Sequence, residues 1–400
     1  MLKINFRTNI IALILTSLFL VYISPSANAE PSTILGTTGD EPIGITIDSL
    51  GNIYTANGAS NNVSKITPQG VSTTLGTTGA NPFGITIDSS GNIYTANNVD
   101  NTVTKITPGG VSTTLGTTGN NPRGILIDSS GNIYTANYGA NNVSKITPGG
   151  VSTILGTTGA NPFAITIDSS GNIYTANDVD NTVTKITPQG VSTILGTTGA
   201  NPFGITIDSS GNIYTSNTGA DTVSKITPQG VSTTLGTTGA QPVGITIDSS
   251  GNIYTANNVD NTVTKITPQG VSTTLGTTGN FPNGITIDSS GNIYTSNNFG
   301  ATVTKITVFD QAAANAEAAR VTAANAEAAR VAAANAEAAR KAKEQKELTE
   351  ILALIPSIAE LTLSLGETTQ SLYSTKCVKG KTTKYVKYGA KCPKGYVKKK

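Results

Sequence analysis

Apolar and polar residues alternate along most of this chain in a pattern that recurs seven times, at a spacing of forty residues. One copy, Gly84–Asn97, reads G-I-T-I-D-S-S-G-N-I-Y-T-A-N. Near-identical copies start at Gly44, Gly124, Ala164, Gly204, Gly244 and Gly284. Because the spacing is constant, the region from Pro31 to about Asp310 is an internal repeat array and is interpreted as one unit.

The alternation predicts four short strands within each copy. In the second copy Ile85 and Ile87 alternate with Thr86, as a strand with one buried face requires. The four predicted strands of this copy are Gly84–Asp88, Asn92–Asn97, Thr102–Ile106 and Val111–Leu115. Asp and Gly in D-S-S-G-N, and Pro and Gly in T-P-G-G, suit the tight turns between strands. Seven such units predict an all-β fold, a seven-bladed β-propeller over residues 30–310.

The two ends of the array predict that the ring closes on itself. The array begins with an isolated fourth strand, Ser32–Leu35, and ends after a third strand, Thr302–Ile306. A linear solenoid would leave both segments with open edges, which favour aggregation. In a ring, Ser32–Leu35 supplies the missing outer strand of the blade that begins at Gly284.

The repeated residues also resemble those of known propeller proteins. The run P-x-G-I-T-I-D-S-S-G-N-I-Y-T-A-N resembles the NHL repeat, and K-I-T-P-Q-G-V-S-T resembles the repeat of the virginiamycin B (streptogramin) lyase family. The resemblance covers about 280 residues and implies a propeller fold, which serves many unrelated functions. The chain departs from the NHL pattern at Asn97, where Asp is usual, and at Thr102, where Arg is frequent.

The lyase resemblance implies an enzyme that relies on histidine, and this sequence contains none. The position between Pro and Gly, where that family carries His, holds Ile43, Phe83, Arg123, Phe163, Phe203, Val243 and Asn283. Histidine is the usual general base near neutral pH, so the sequence argues against a mechanism of that type. The enzyme alternative that stays open is a lyase or lactonase-like propeller that uses a bound divalent cation.

Comparing the copies locates their differences on one face. The loop before each first strand and the loop between the second and third strands vary, whereas the other two loops hardly change. In a four-stranded blade the two variable loops share a face, and loops on a rigid scaffold commonly carry recognition. The predicted ligand-binding residues are Phe83, Arg123, Tyr138, Phe163, Phe203, Phe281, Phe299, Asp100, Asp180 and Asp260.

Two alternatives to this interpretation stay open. The Phe side chains would merely pack between neighbouring blades if the loops had drifted under weak constraint. The N-V-D-N-T or D-V-D-N-T motif recurs every eighty residues, which duplication of blade pairs explains as simply as three equivalent polar sites at Asp100, Asp180 and Asp260.

Three segments outside the array have their own patterns. Residues 1–29 predict a cleaved secretory signal, because Lys3 and Arg7 precede an apolar stretch and an A-x-A site; an uncleaved membrane anchor is the alternative. The Ala-rich residues 311–346 predict an exposed helical stalk with Glu–Arg pairs three residues apart. Residues 347–373 are apolar at helical spacing around Pro356, which predicts a kinked amphipathic helix that folds back or pairs with a partner helix.

The last segment, residues 374–400, is strongly basic. Ten of the 26 Lys and Arg lie there with no acidic residue, so the rest of the chain is acidic. Cys377 and Cys392 predict a disulfide, since no further Cys or His is present to complete a zinc site. Clustered lysines attract polyanions, so an anionic cell-wall or membrane surface is an expected partner; lysines that only confer solubility are the alternative.

The sequence as a whole predicts a secreted or cell-surface propeller that binds a protein or carbohydrate ligand on its variable face without catalysis. No cofactor and no nucleic acid partner are expected. The divalent cation enters only with the enzyme alternative.

Overall fold

The forty-residue repeats fold into seven four-stranded antiparallel sheets in a computed structural model of the chain. The structure describes residues 30–308, 311–372, 374–387 and 389–399. The predicted signal, residues 1–29, therefore lies outside the described residues. The chain divides into two compact units, one ending at residue 309 and one beginning at residue 310.

The strands of each blade follow one another from the innermost to the outermost position. The innermost strands are Pro42–Ile47, Pro82–Ile87, Pro122–Ile127, Pro162–Ile167, Pro202–Ile207, Pro242–Ile247 and Pro282–Ile287. The second strands are Ile53–Asn57, Ile93–Asn97, Ile133–Asn137, Ile173–Asn177, Ile213–Asn217, Ile253–Asn257 and Ile293–Asn297. The third strands are Asn62–Ile66, Thr102–Ile106, Asn142–Ile146, Thr182–Ile186, Thr222–Ile226, Thr262–Ile266 and Thr302–Ile306. The outermost strands are Ser72–Thr77, Ser112–Thr117, Ser152–Thr157, Ser192–Thr197, Ser232–Thr237, Ser272–Thr277 and, for the seventh blade, Ser32–Thr37; a 3-10 turn spans Asn298–Gly300.

The ring closes as predicted, through the first strand of the array. Ser32–Thr37 pairs antiparallel with Thr302–Ile306, with Ser32 opposite Ile306. The innermost strand of the seventh blade also packs against that of the first. Both observations confirm the predicted seven-bladed propeller.

The hydrophobic core lies between neighbouring blades. The second strand of each blade is buried along its whole length because a blade covers each of its faces. Tyr54 and Val63 of the first blade pack with Ile93 and Ile106 of the second. Burying one such Ile side chain contributes roughly 1.5–3 kcal/mol, so each blade stabilises its neighbours.

The D-S-S-G-N turn is held by its aspartate. The Oδ1 of Asp88 accepts the backbone N–H groups of Ser90 and Asn92 at 2.9 and 2.8 Å. Its Oδ2 accepts the Asn92 side-chain amide at 2.8 Å and the Tyr94 hydroxyl at 3.0 Å. Burial raises the pKa of Asp88, but these hydrogen bonds outweigh it and hold the pKa below its ordinary value. Asp88 is thus a turn former, as the sequence indicated.

A long helix, Gln311–Leu372, opens the second unit. The predicted pairs Glu327–Arg330 and Glu337–Arg340 form, at 3.5 and 3.1 Å. The predicted amphipathic segment at residues 347–373 is helical up to Leu372 and continues this helix, with Pro356 inside it. A proline removes one backbone hydrogen bond, and the good helix formers on both sides allow the helix to continue.

A small antiparallel sheet ends the chain. Its strands are Ser374–Lys379, Thr382–Lys387 and Val397–Lys398. Cys377 and Cys392 form the predicted disulfide, with Cys377 fully buried. Within the described part of the chain, no helix has the length and apolar character needed to span a bilayer.

Candidate functional site at the mouth of the channel

A cavity of about 270 Å³ lies on the axis of the ring, where the seven innermost strands meet. Each strand contributes the residue between its Pro and its Gly or Ala. These residues are Ile43, Phe83, Arg123, Phe163, Phe203, Val243 and Asn283. They follow directly on the first variable loops, so they surround the mouth of the channel on the variable face. The two variable loops do share that face, since the Asn98 N–H donates to the Asn81 carbonyl at 2.9 Å.

Glycine lets the innermost strands approach each other closely. A Cβ atom at Gly44 would lie 2.6 Å from the carbonyl oxygen of Phe83 on the next blade. A Cβ atom at Gly84 would overlap the carbonyl oxygen of Arg123. This close approach of the strands brings the seven side chains together around one narrow mouth.

Arg123 lies among aromatic rings in one sector of this mouth. Its guanidinium carbon is 3.6 Å from the ring centroid of Tyr138, 4.5 Å from that of Phe163 and 5.3 Å from that of Phe83. Each distance is within the range in which a ring face attracts a cation. The rings thus position the guanidinium and stabilise its charge.

The aromatic rings also contact one another across blades. Phe163 stacks on Phe203 with centroids 4.1 Å apart and an interplanar angle of 10°. Phe163 meets Phe83 edge-on at 5.4 Å. The Phe side chains do pack between blades, as one alternative expected, but they do so around the cavity. Phe83, Arg123, Tyr138, Phe163 and Phe203 are therefore brought together, and they are called the aromatic–arginine cluster below.

The carboxylate of Asp178 supports the cluster through a hydrogen bond from Tyr138. The Tyr138 hydroxyl donates to Asp178 Oδ2 at 3.2 Å, and the Asn201 amide donates to Asp178 Oδ1 at 3.0 Å. Asp178 is only 7 % exposed. Asp178 is not among the predicted site residues, although it stands where the two other copies of its motif have Asn98 and Asn258. That single difference was the available signal.

The charge of Arg123 is incompletely compensated. Burial lowers the pKa of its guanidinium, and Tyr138 and Asp178 raise it only in part. Arginine nevertheless stays protonated in proteins. Within the described part of the chain, Arg123 has no hydrogen bond or ion pair, and its Nε is buried without a partner.

The other predicted site residues lie elsewhere on the variable face. Asp100, Asp180 and Asp260 each accept a backbone N–H, from Ala80, Ala160 and Ala240, at 2.5, 2.5 and 2.7 Å. They are on alternate blades and do not line the channel cavity. Each of these carboxylates therefore joins the two variable loops of its own blade rather than contributing to one shared site.

Phe281 and Phe299 form a separate pair on the seventh blade. Their ring centroids are 4.6 Å apart, and the side chains are 40 % and 71 % exposed. Phe281 has a φ of 55°, a conformation that costs a bulky residue energy. Its carbonyl accepts the N–H of Asn298, which is the same hydrogen bond between variable loops that joins Asn98 to Asn81.

The asparagines that recur at the end of each second strand are structural. Asn97 is fully buried, and its amide donates to Thr102 and Thr104 at 2.9 and 2.8 Å. Across the described residues, no group of three or more His, Cys, Asp and Glu side chains is placed to hold a metal ion. The three rim aspartates do not converge, so they do not fit the divalent cation that the enzyme alternative implies.

Comparisons with known proteins give the same fold. The model of the virginiamycin B lyase family matches residues 31–216 and 152–339. A virginiamycin B lyase structure from Staphylococcus aureus is 22 % identical, with 70 % of this chain and 99 % of that chain covered and a TM-score of 0.62. A catalytically inactive variant of that enzyme, solved with quinupristin, is 21 % identical over 70 % and 99 % of the two chains, at a TM-score of 0.61.

A WD40 propeller domain has a similar fold as well. The WD40 propeller domain of Doa1 is 12 % identical, covers 70 % of this chain and 98 % of its own, and has a TM-score of 0.60. No curated protein sequence matches the chain significantly. At such identities the structural likeness establishes the fold, and the family rests on the matched residues 31–339. The chain belongs to the virginiamycin B lyase family.

Proposed function

We propose that this protein is a binding member of its family, which holds a ligand at the channel mouth on the variable face and does not transform it. The observation that carries the proposal is the aromatic–arginine cluster around the cavity. Most of the ring repeats from blade to blade, whereas this cluster combines side chains of the second to fifth blades once. Concave sites lined by aromatic groups and one charged group are typical of ligand pockets.

The chemistry at the mouth supports binding rather than lyase activity. A histidine-to-alanine variant of the S. aureus enzyme is catalytically inactive. This chain contains no histidine, and its channel positions carry apolar, amide and guanidinium groups. None of these groups is a general base near neutral pH.

Incubation with quinupristin tests the catalytic half of the proposal. Mass spectrometry should find the compound intact after prolonged incubation, while the S. aureus lyase in a parallel reaction serves as the active control. Conversion that depends on this protein, with or without added divalent cation, would establish the enzyme alternative instead.

Methyl NMR tests the binding half. The isoleucines that line the cavity report on it directly: Ile43, Ile45, Ile85, Ile125, Ile165, Ile205, Ile245 and Ile285. A fragment set of mixed charge should contain members that shift these signals with saturable behaviour. If every binding fragment shifts only signals near Phe281 and Phe299, the channel mouth is the wrong site.

We also propose that the protein is exported and acts at an anionic cell surface through its C-terminal sheet. The predicted signal at residues 1–29 and the disulfide support export. The lysines of the sheet are exposed, among them Lys379, Lys381 and Lys384. A dense set of exposed cations without acidic neighbours attracts polyanions.

A further inference from the structure

The hydrogen-bonding capacity of Arg123 is unused. A guanidinium carries five N–H donors in a planar fork. Within the described residues none of them meets a carbonyl or carboxylate oxygen, although Arg123 lines the cavity. Aromatic faces stabilise the charge but supply no oxygen acceptors. A partly buried cation in this state favours an anion that can accept from the fork.

The surroundings of Arg123 define the rest of the ligand. Phe83, Phe163 and Phe203 line the same cavity beside it, and Ile43, Val243 and Asn283 also line it. An anion without an apolar part would leave these surfaces in contact with water. A flat apolar or aromatic body would bury them and add ring–ring contacts.

Charge selects a monoanion over a dianion. Among the described residues that line the cavity, Arg123 alone carries a charge. The carboxylate of Asp178 accepts the hydroxyl hydrogen bond of Tyr138 and adds negative potential to the same region. A second negative charge on the ligand would find no second cation and would be repelled by Asp178.

From these three features we infer that the channel mouth binds a small carboxylate with an aromatic or flat apolar body, its carboxylate on Arg123. This inference rests on the proposed function and specifies its ligand class. Tyr138 acts as a positioning residue, since it holds the guanidinium while its own hydroxyl is held by Asp178.

A set of four probes tests the inference on the unmodified protein. Phenylacetate supplies both parts, phenylacetamide is its neutral isostere, acetate lacks the ring, and phenyl phosphate is a dianion at pH 8. Dissociation constants come from titrations followed by the isoleucine methyl signals of the cavity. Phenylacetate should bind roughly ten- to a hundredfold more tightly than phenylacetamide, since hydrogen bonds to a charged group are worth that much. It should also bind more tightly than acetate and phenyl phosphate.

The outcomes separate the inference from the proposed function. Equal affinity for phenylacetate and phenylacetamide would overturn the carboxylate inference, yet the mouth would remain a binding site. Tighter binding of phenyl phosphate would overturn the choice of a monoanion. If no probe shifts the cavity signals up to its solubility limit, the inference and the proposed site both fail.

A substitution adds an independent arm. In Arg123→Gln the preference for phenylacetate over phenylacetamide should be lost. The matched control is Arg330→Gln, which removes a cation from the exposed helix and should change neither affinity. Retained preference for phenylacetate in Arg123→Gln would contradict the assignment. If Arg123→Gln does not fold, the probe comparison on the unmodified protein decides alone.

Discussion

The hydroxyl of Tyr138 donates a hydrogen bond to the carboxylate of Asp178, 3.2 Å away on the next blade. The ring of the same tyrosine lies 3.6 Å from the guanidinium carbon of Arg123. One side chain therefore joins the third and fourth blades and supports the cation at the channel mouth. The position of Arg123 depends on a contact between blades, not on its own strand alone.

Removing that hydroxyl should destabilise the ring. Tyr138→Phe keeps the ring over Arg123 but leaves the buried Asp178 with one acceptor oxygen unpaired, which costs roughly 1–3 kcal/mol of unfolding free energy. Urea denaturation measures the change. Tyr385→Phe, at a tyrosine that is 60 % exposed, is the matched control and should be neutral. Equal stability of the two variants would mean that the hydrogen bond does not contribute.

Much of the fold was predictable because it depends on period and pairing. The forty-residue spacing defined the blades, and the isolated strand at Ser32 could pair only with the strand that ends at Ile306. The helix was predicted as two adjoining helical segments. The apolar residues and Pro356 suggested a separate segment, whereas high helix propensity on both sides carries one helix through.

The candidate site was predictable in part. Comparing copies selected five side chains that the structure brings together at the channel mouth, but it grouped Phe281 with Phe83. Phe281 precedes the proline of its strand and Phe83 follows it, so only Phe83 faces the channel. Asp178 was missed because its role arises from Tyr138 on another blade. A side-chain contact between blades follows no fixed spacing in the sequence that would reveal it.

Ring closure predicts the effect of a short deletion. Removing Pro31–Gly36 should expose the edge of Thr302–Ile306 and abolish cooperative melting or cause aggregation, because an unpaired edge strand is a template for association. Differential scanning calorimetry and light scattering report both. Ile34→Thr is the control, since Ile34 is 55 % exposed and other copies have Thr there. A deletion variant that melts like the unmodified protein would contradict closure through this strand.

The seven turn aspartates predict a loss of stability in acid. The folded-state pKa of Asp88 is lowered by its hydrogen bonds despite burial, and the six equivalent residues behave alike. Their contribution is present above the unfolded pKa of about 3.9 and is lost as pH falls through the lower folded value. The melting temperature should be level between about pH 5 and 8 and fall below about pH 4.

The paired tyrosines give the alkaline limit of the same profile. Burial and the nearby Asp128 raise the pKa of Tyr134 to about 12. A raised pKa stabilises the fold below the unfolded value of about 10, and the contribution is lost as pH rises through the folded value.

The variant Asp88→Asn should be less stable than the unmodified protein at pH 7, and the difference should shrink at pH 2. If the melting temperature of the unmodified protein does not fall in acid, this explanation of the turns is contradicted.

The C-terminal lysines predict salt-sensitive binding to anionic surfaces. Replacing Lys379, Lys381 and Lys384 with Gln should weaken sedimentation with phosphatidylglycerol vesicles and with anionic cell-wall polymer. Binding of the unmodified protein should itself weaken as the Debye length shortens to about 8 Å at 0.15 M salt. The control variant carries the same change at Lys341, Lys343 and Lys346. Retention that ignores salt, or equal retention of both variants, would favour lysines that only confer solubility.

The location of bound phenylacetate is the most direct test of a ligand site at the channel mouth. A crystal structure of the protein with this probe should show its carboxylate within about 3 Å of the Arg123 guanidinium, the usual length of a charge-assisted hydrogen bond. The phenyl ring should lie against Phe83 or Phe163, inside the cavity of about 270 Å³. Phenylacetate bound instead at Phe281 and Phe299, or on the C-terminal sheet, with the channel mouth holding only water, would contradict the proposed site.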